Sequence, residues 1–203
     1  MKKCATDIKL WISIGLAHIL LYLTFIDKDV FWYLYGAALL FLISYTILNE
    51  SIDDHLPAPT YIVYGIISGI LIYLIFWIGY EVLSALSSTI KKDVAWLYNR
   101  YKPMQLWHFI VLFLVLIPGE EIFWRGFVQK RLSRYFQPAL AIIIASFLGA
   151  SVFWYAGKWA LMIAAFVGGL VWGALFEWKR SIPLLIVSHL VVDILIFIVF
   201  PFH

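Results

Sequence analysis

The chain alternates between long apolar blocks and short polar breaks. A helix that crosses a bilayer needs roughly 20 consecutive apolar residues, and each block is close to that length. The breaks carry charges and turn residues, and Pro57, Pro59, Pro103, Pro138 and Pro183 each stand at or just before a new block. The seven blocks occupy residues 10–26, 30–48, 61–80, 106–128, 139–156, 160–176 and 182–200.

The blocks are predicted to be membrane-spanning helices. Within lipid, only an α-helix or a closed β-barrel satisfies all backbone hydrogen bonds. The blocks lack the alternation of apolar and polar residues that is typical of a barrel strand, so they are predicted to be helical. Only 13% of the residues are charged, about half of what a soluble domain carries. The sequence therefore predicts an all-α fold, a polytopic transmembrane helix bundle of about seven spans. No break is long enough to separate two domains.

The N-terminal block is predicted to be retained as a span. It opens with lysines, as a signal peptide does, but its apolar run is too long and ends in "FIDKDV" without a small-residue cleavage site. The bias of Lys and Arg in short loops favours an N-terminus on the inner side, by eight residues to six. The inner set is Lys2, Lys3, Lys9, Lys130, Arg131, Arg134, Lys179 and Arg180, and the outer set is Lys28, Lys91, Lys92, Arg100, Lys102 and Lys158.

The segment 84–102 weighs against that orientation. It is basic and contains Trp96, Tyr98 and Tyr101, a composition that suits an interfacial amphipathic helix. Such helices prefer the anionic inner leaflet, whereas an inner N-terminus places this segment outside.

The remaining composition narrows the classes of partner. Cys4 is the only cysteine, so no internal disulfide forms, and a buried thiol is favoured over an acylated one. A net charge of +3, scattered along the chain, does not indicate nucleic-acid binding. We therefore expect membrane lipid as a partner. We expect the chain to be an integral membrane protein of a bacterial cell membrane. The sequence makes no prediction of oligomeric state.

Three charged residues interrupt the apolar run at "PGEEIFWRGF". Glu121 and Arg125 are four residues apart on one helix, so they share a face and are predicted to form a salt bridge. Glu120 is rotated about 100° from Glu121, which leaves it free to contact something else. Charges within a bilayer are costly and are functional candidates by default. The alternative is a charged helix end that points to the membrane surface, and the following "QKRLSR" supports it.

The last block adds a second pair, His189 and Asp193, in "SHLVVDILIF". The two are four residues apart and therefore lie on one stripe of a membrane helix. A lone histidine there would be read as a satisfied core residue, but the pair favours a site.

Together these motifs resemble the CAAX-protease and bacteriocin-processing (Abi) family of intramembrane glutamic endopeptidases. The family pattern is EExxxR, then FxxxH, then HxxxN or HxxxD. Here the first is Glu120 to Arg125 and the third is His189 to Asp193, and the likeness covers roughly residues 105–200. We thus expect residues 105–203 to form a CAAX-protease-like transmembrane core and 1–104 to form N-terminal transmembrane helices without an assigned role.

The resemblance implies the roles of these residues. Glu120 and the histidine of FxxxH would activate a water, His189 and Asp193 would stabilise the oxyanion, and Glu121 with Arg125 would hold the geometry. The substrate class it implies is a membrane-associated peptide or protein tail. No cofactor is expected, and no metal either, because a zinc site needs three or four convergent ligands.

The middle motif departs from the family pattern. Aligning "SVFWYAGKW" puts Trp154 at the phenylalanine position and Lys158 at the histidine, and counting from Phe153 puts Gly157 there. Lys158 is a possible replacement for the missing histidine as a neutral base, or it is a lysine that extends to the membrane surface. His108 lies about 18 Å along the helix from Glu120 and cannot substitute.

Two hypotheses of function follow. The first is an intramembrane endopeptidase that uses Glu120 with a changed partner. The second is a non-catalytic relative that binds a peptide or acts as a bacteriocin-immunity membrane protein, since the FxxxH histidine is absent. A small transporter fits the composition, but no inverted repeat supports it.

Overall fold

A computed structural model describes residues 4–202, which form seven long helices and one shorter one. Seven of the eight are long and apolar enough to span a membrane, which confirms the predicted fold class and the number of spans. Lys2 and Lys3, counted above for orientation, lie outside the described residues. The helices are α1 (Ile8–Ile26), α2 (Lys28–Asn49), α3 (Ala58–Leu86), α4 (Ser88–Tyr101), α5 (Leu106–Leu132), α6 (Pro138–Ala156), α7 (Trp159–Lys179) and α8 (Ile182–Val199).

Polar caps and prolines set the helix starts. Asp7 accepts a hydrogen bond from the backbone N–H of Leu10 at 3.2 Å, so it caps α1. Helices α3, α6 and α8 each carry a proline in the first two positions, where the missing N–H has no helical acceptor to lose. The predicted boundaries therefore agree with the observed ones to within a few residues, except at the longer ends of α3.

Helix α5 is irregular on both sides of the candidate site. Its turns at Leu112–Leu116 and Trp124–Gln129 are π-helical, with an ordinary α-helical turn at Ile117–Phe123 between them. Pro118 lacks an N–H and would clash with the carbonyl one turn earlier, and the wider π turn before it relieves that clash. The two glutamates thus occupy a short, regular turn held between two widened ones.

Close helix contacts depend on small residues. On α3, a Cβ at Gly69 would lie 2.6 Å from the carbonyl oxygen of Ser188, and a Cβ at Gly65 would lie 2.6 Å from Val187. On α7, a Cβ at Gly169 would lie 2.8 Å from the Cβ of Ser146 on α6. Glycine therefore allows α3 to pack against α8 and α7 against α6 at backbone distance.

Helix α4 is amphipathic and too short to span a membrane. It packs on α3 and α7 and buries Asp93, while Lys91 and Lys92 are exposed. Most of the segment 84–102 thus forms α4, at the end of the bundle away from the start of α1, while residues 84–86 end α3. Tyr98 of α4 points inward.

Ion pairs hold the opposite end of the bundle together. Arg131, at the end of α5, donates to both carboxylate oxygens of Asp7 at 2.6 and 2.8 Å, and Tyr135 donates to the same carboxylate at 3.1 Å. Arg134 pairs with Glu50 at 2.6 Å. These contacts place the start of α1 and the ends of α2 and α5 on one side of the bundle.

Candidate active site

The predicted salt bridge on α5 is present and buried. Glu121 is 0% exposed, and its Oε1 atom lies 3.2 Å from Nη1 of Arg125. The other arginine nitrogen, Nη2, donates to the carbonyl oxygen of Gly168 on α7 at 3.5 Å. A buried charge pair of this kind is stable only when both members stay paired, so these two residues fix α5 against α7.

His189 of α8 contacts the same carboxylate. Its Nδ1 atom lies 2.7 Å from Oε1 of Glu121, so Nδ1 carries the hydrogen and Glu121 accepts it. The second ring nitrogen, Nε2, lies 3.9 Å from Oδ1 of Asp193, which is beyond hydrogen-bond distance. Glu121 therefore orients the histidine, and Nε2 remains available to a ligand.

Trp172 of α7 supports the histidine from one face. The two rings stack with centroids 4.1 Å apart and an interplanar angle of 25°. The indole N–H donates to the hydroxyl of Ser188 at 3.1 Å, and Ser68 of α3 donates to that same hydroxyl at 3.0 Å. The orientation of His189 is thus fixed by helices α3, α5 and α7 together.

Glu120 faces a different partner from Glu121, as the helical rotation predicts. The hydroxyl of Tyr35, on α2, donates a short hydrogen bond to Oε1 of Glu120. Among residues 4–202, no other side chain hydrogen-bonds to this carboxylate. The neighbouring Gly119 permits the contact, because a Cβ there would lie 2.9 Å from the Cβ of Leu39 on α2.

Glu120, His189 and Asp193 line one cavity of about 320 Å³. Its walls are mostly aromatic and aliphatic, and Tyr35 and Arg125 also line it. Tyr98 of α4 lines the end near that helix and donates to the carbonyl oxygen of Ile196 at 2.8 Å. Burial, more than the neighbouring charges, raises the pKa of Tyr98 to about 12, so its hydroxyl stays a hydrogen donor at neutral pH.

The structure does not bring Lys158 to this cavity. Its ammonium lies 3.3 Å from Oδ1 of Asp93 and 4.7 Å from the ring centre of Trp96, both on α4. Trp154, at the phenylalanine position of the middle motif, is 60% exposed on the outside of the bundle. The cavity lining includes neither Lys158 nor Trp154, and the lysine contacts the surface helix instead.

The remaining histidines within residues 4–202 also lie elsewhere. His18 hydrogen-bonds with Tyr155 at 3.1 Å, and His108 stacks on Trp32 near the start of α5. His55 is exposed in the loop before α3. Within the same described range, no three His, Cys, Asp or Glu side chains converge as metal ligands.

The comparisons with known proteins agree with the motifs. Residues 102–195 match the family model described as Rce1-like, type II CAAX prenyl endopeptidase. The C-terminal half of this chain is thus similar to the CAAX-protease family. No curated protein and no solved structure gives a significant match.

The segment of this chain that matches the family model contains five of the predicted site residues, from Glu120 to Asp193, and it also contains Lys158. The family is one of proteases, and a protease of this family is an integral membrane protein that acts on a membrane-associated substrate. Tyr35 lies outside the match, on α2.

Sequence reasoning missed Tyr35 and Trp172. Tyr35 stands in the aromatic run "FWYLYG" and Trp172 in the apolar run "LVWGAL", where nothing distinguishes a site residue from a lipid-facing one. Only the packing of α2 on α5 and of α7 on α8 shows their contacts.

Proposed function

We propose that the protein is an intramembrane endopeptidase of the CAAX-protease/Abi type that cleaves a membrane-associated peptide or protein tail with a water activated by Glu120. The observation that carries the proposal is that the two adjacent glutamates have different partners. Glu121 is committed to Arg125 and His189, whereas Glu120 keeps Oε2 free of protein partners among residues 4–202 and lines the cavity with Nε2 of His189 nearby.

The proposed reaction is a hydrolysis in two steps. Glu120 takes a proton from a water as the water oxygen bonds to the scissile carbonyl carbon. Glu120 then gives the proton to the leaving nitrogen as the C–N bond breaks, and the products are a carboxylic acid and an amine.

In the proposed mechanism, His189 and Asp193 stabilise the oxyanion. In this step His189 carries hydrogens on both ring nitrogens: Nδ1–H donates to Glu121, and Nε2–H donates to the oxyanion. Asp193 supplies a second donor in its protonated form, because a carboxylate would repel the developing charge. Glu121 and Arg125 keep these groups in place, and Lys158 has no part in the reaction.

We also propose that the protein lies in a bacterial cell membrane with the N-terminus inside. The support is the set of basic residues at the Arg131 end of the bundle, to which Lys2 and Lys3 add in sequence. Cys4, the only cysteine, gives a direct test: a membrane-impermeant maleimide should label it only after cells are permeabilised. A Cys4→Ser, Lys28→Cys variant should be labelled on intact cells, and the reverse result would show the opposite orientation.

The activity is tested with purified protein in liposomes and two fluorogenic peptides, one with a farnesylated CAAX end and one anchored by a palmitoyl chain. Glu120→Gln should lower kcat by at least about 10²- to 10⁴-fold, the range of general acid–base catalysis, with an unchanged melting temperature. Glu81→Gln, which removes an exposed carboxylate from α3, is the matched control.

The second hypothesis predicts a different outcome. If wild-type protein and Glu120→Gln bind either peptide equally and cleave neither, the chain is a peptide-binding relative, as the absent FxxxH histidine allows. Cleavage that survives Glu120→Gln would exclude the assigned base.

A further inference from the structure

Tyr35 is the one residue in the described part of the chain that hydrogen-bonds to the side-chain carboxylate of Glu120. It is 7% exposed, lines the cavity, and packs against Phe31 with ring centroids 5.5 Å apart. Its hydroxyl reaches Oε1 of Glu120, which leaves Oε2 for another ligand. This contact comes from the N-terminal half of the chain, to which the sequence assigned no role.

The register between α2 and α5 is fixed at this point. Tyr35 and Leu39 are four residues apart and share one buried face of α2. Leu39 packs directly on Gly119, the residue before Glu120, where a Cβ would come within 2.9 Å. The position of the Tyr35 hydroxyl is therefore set by packing on both sides of the hydrogen bond.

The family pattern requires a second polar group beside Glu120, and the residues at the expected place do not provide one. Lys158 pairs with Asp93, and Trp154 is exposed on the outside of the bundle. The phenol of Tyr35 occupies the position next to the carboxylate. A hydroxyl bonded to Oε1 holds the plane of the carboxylate, which leaves Oε2 to contact a water.

We propose that Tyr35 is the positioning residue of this site and stands where the family pattern has a histidine. The inference rests on the proposed endopeptidase function. Tyr35 donates its hydrogen bond to Glu120 throughout the reaction and transfers no proton itself. All proton transfers remain between water, Glu120 and the leaving nitrogen.

The test compares Tyr35→Phe with Tyr45→Phe, using the farnesylated and palmitoylated peptides in liposomes. Tyr45 lies ten residues further along α2, and its hydroxyl donates to the carbonyl oxygen of Lys9 at 2.9 Å, away from the cavity. Tyr35→Phe should lower kcat about 10- to 100-fold, the loss expected from one hydrogen bond to a charged group, with KM and melting temperature unchanged. Tyr45→Phe should keep the wild-type kcat.

A double variant distinguishes an effect of Tyr35 on the position of Glu120 from a general disruption of the structure. If Tyr35 acts through Glu120, adding Tyr35→Phe to Glu120→Gln should cause no further loss of activity. A wild-type kcat for Tyr35→Phe, in a protein that Glu120→Gln inactivates, would overturn this inference and leave the proposed function intact. No cleavage by the wild-type protein would overturn the proposed function, and this role with it.

Discussion

The buried charge pair on α5 makes a quantitative prediction about stability. Glu121→Gln keeps the shape of the side chain and removes its charge. Arg125, whose side chain is 7% exposed, then has no carboxylate partner, and the bond from Nδ1 of His189 loses its ionic acceptor. Breaking a buried ion pair by removing one partner costs about 3–5 kcal/mol. For a chain of this size, that loss lowers the melting temperature by about 6–20 °C.

The assay is thermal unfolding in detergent, followed by the fluorescence of the ten tryptophans. Glu81→Gln serves as control, since an exposed substitution changes stability by no more than about 0.5 kcal/mol. A Glu121→Gln, Arg125→Met double variant should regain much of the lost stability, because neither charge is then left unpaired. An unchanged melting temperature for Glu121→Gln would refute the scaffold role of this pair.

Three further predictions concern other contacts. Burial raises the pKa of Asp7, but hydrogen bonds from the Leu10 backbone, Arg131 and Tyr135 outweigh burial and hold the pKa below its ordinary 3.8. The ionised carboxylate therefore stabilises the folded protein at neutral pH, and this stabilisation is lost as the pH falls through the pKa that Asp7 has in the folded state. Asp7→Asn should therefore unfold about 1–3 kcal/mol more easily in denaturant at pH 7, and the difference from wild type should disappear as the pH falls through the lowered pKa of Asp7; a constant difference would contradict this. Gly119→Ala should cost about 1–3 kcal/mol and reduce peptide cleavage, since its methyl group meets Leu39 and moves α2; normal cleavage would show that the close approach is unnecessary. Lys158→His and Lys158→Met should leave kcat/KM at the wild-type value, and a gain with histidine would place this residue at the site after all.

The apolar pattern predicted the spans because a bilayer imposes one length on every crossing helix. The seven blocks correspond to α1–α3 and α5–α8, with ends that differ by a few residues. The sequence indicated an interfacial amphipathic helix in segment 84–102, but amphipathic patterning does not show which neighbours such a helix covers. The structure packs it on α3 and α7 as α4.

The candidate site was predictable where its residues lie on one helix. Spacing along α5 and α8 indicated that Glu121 pairs with Arg125 and that His189 shares a stripe with Asp193. Contacts between helices were not accessible in this way. The bond from His189 to Glu121 rather than to Glu120, and the bond from Tyr35 to Glu120, depend on the register between separate helices, which one sequence does not encode locally.

The central claim is that Glu120 activates a water for peptide-bond hydrolysis inside the membrane. Its most direct test is cleavage of the liposome-bound peptides in H₂¹⁸O, with mass spectrometry of the fragment that gains a new carboxylate. We predict one ¹⁸O atom in that carboxylate for the wild-type protein and at least about 10²-fold less labelled product for Glu120→Gln. Equal ¹⁸O incorporation by the two proteins, or no labelled product from the wild type, would contradict the account.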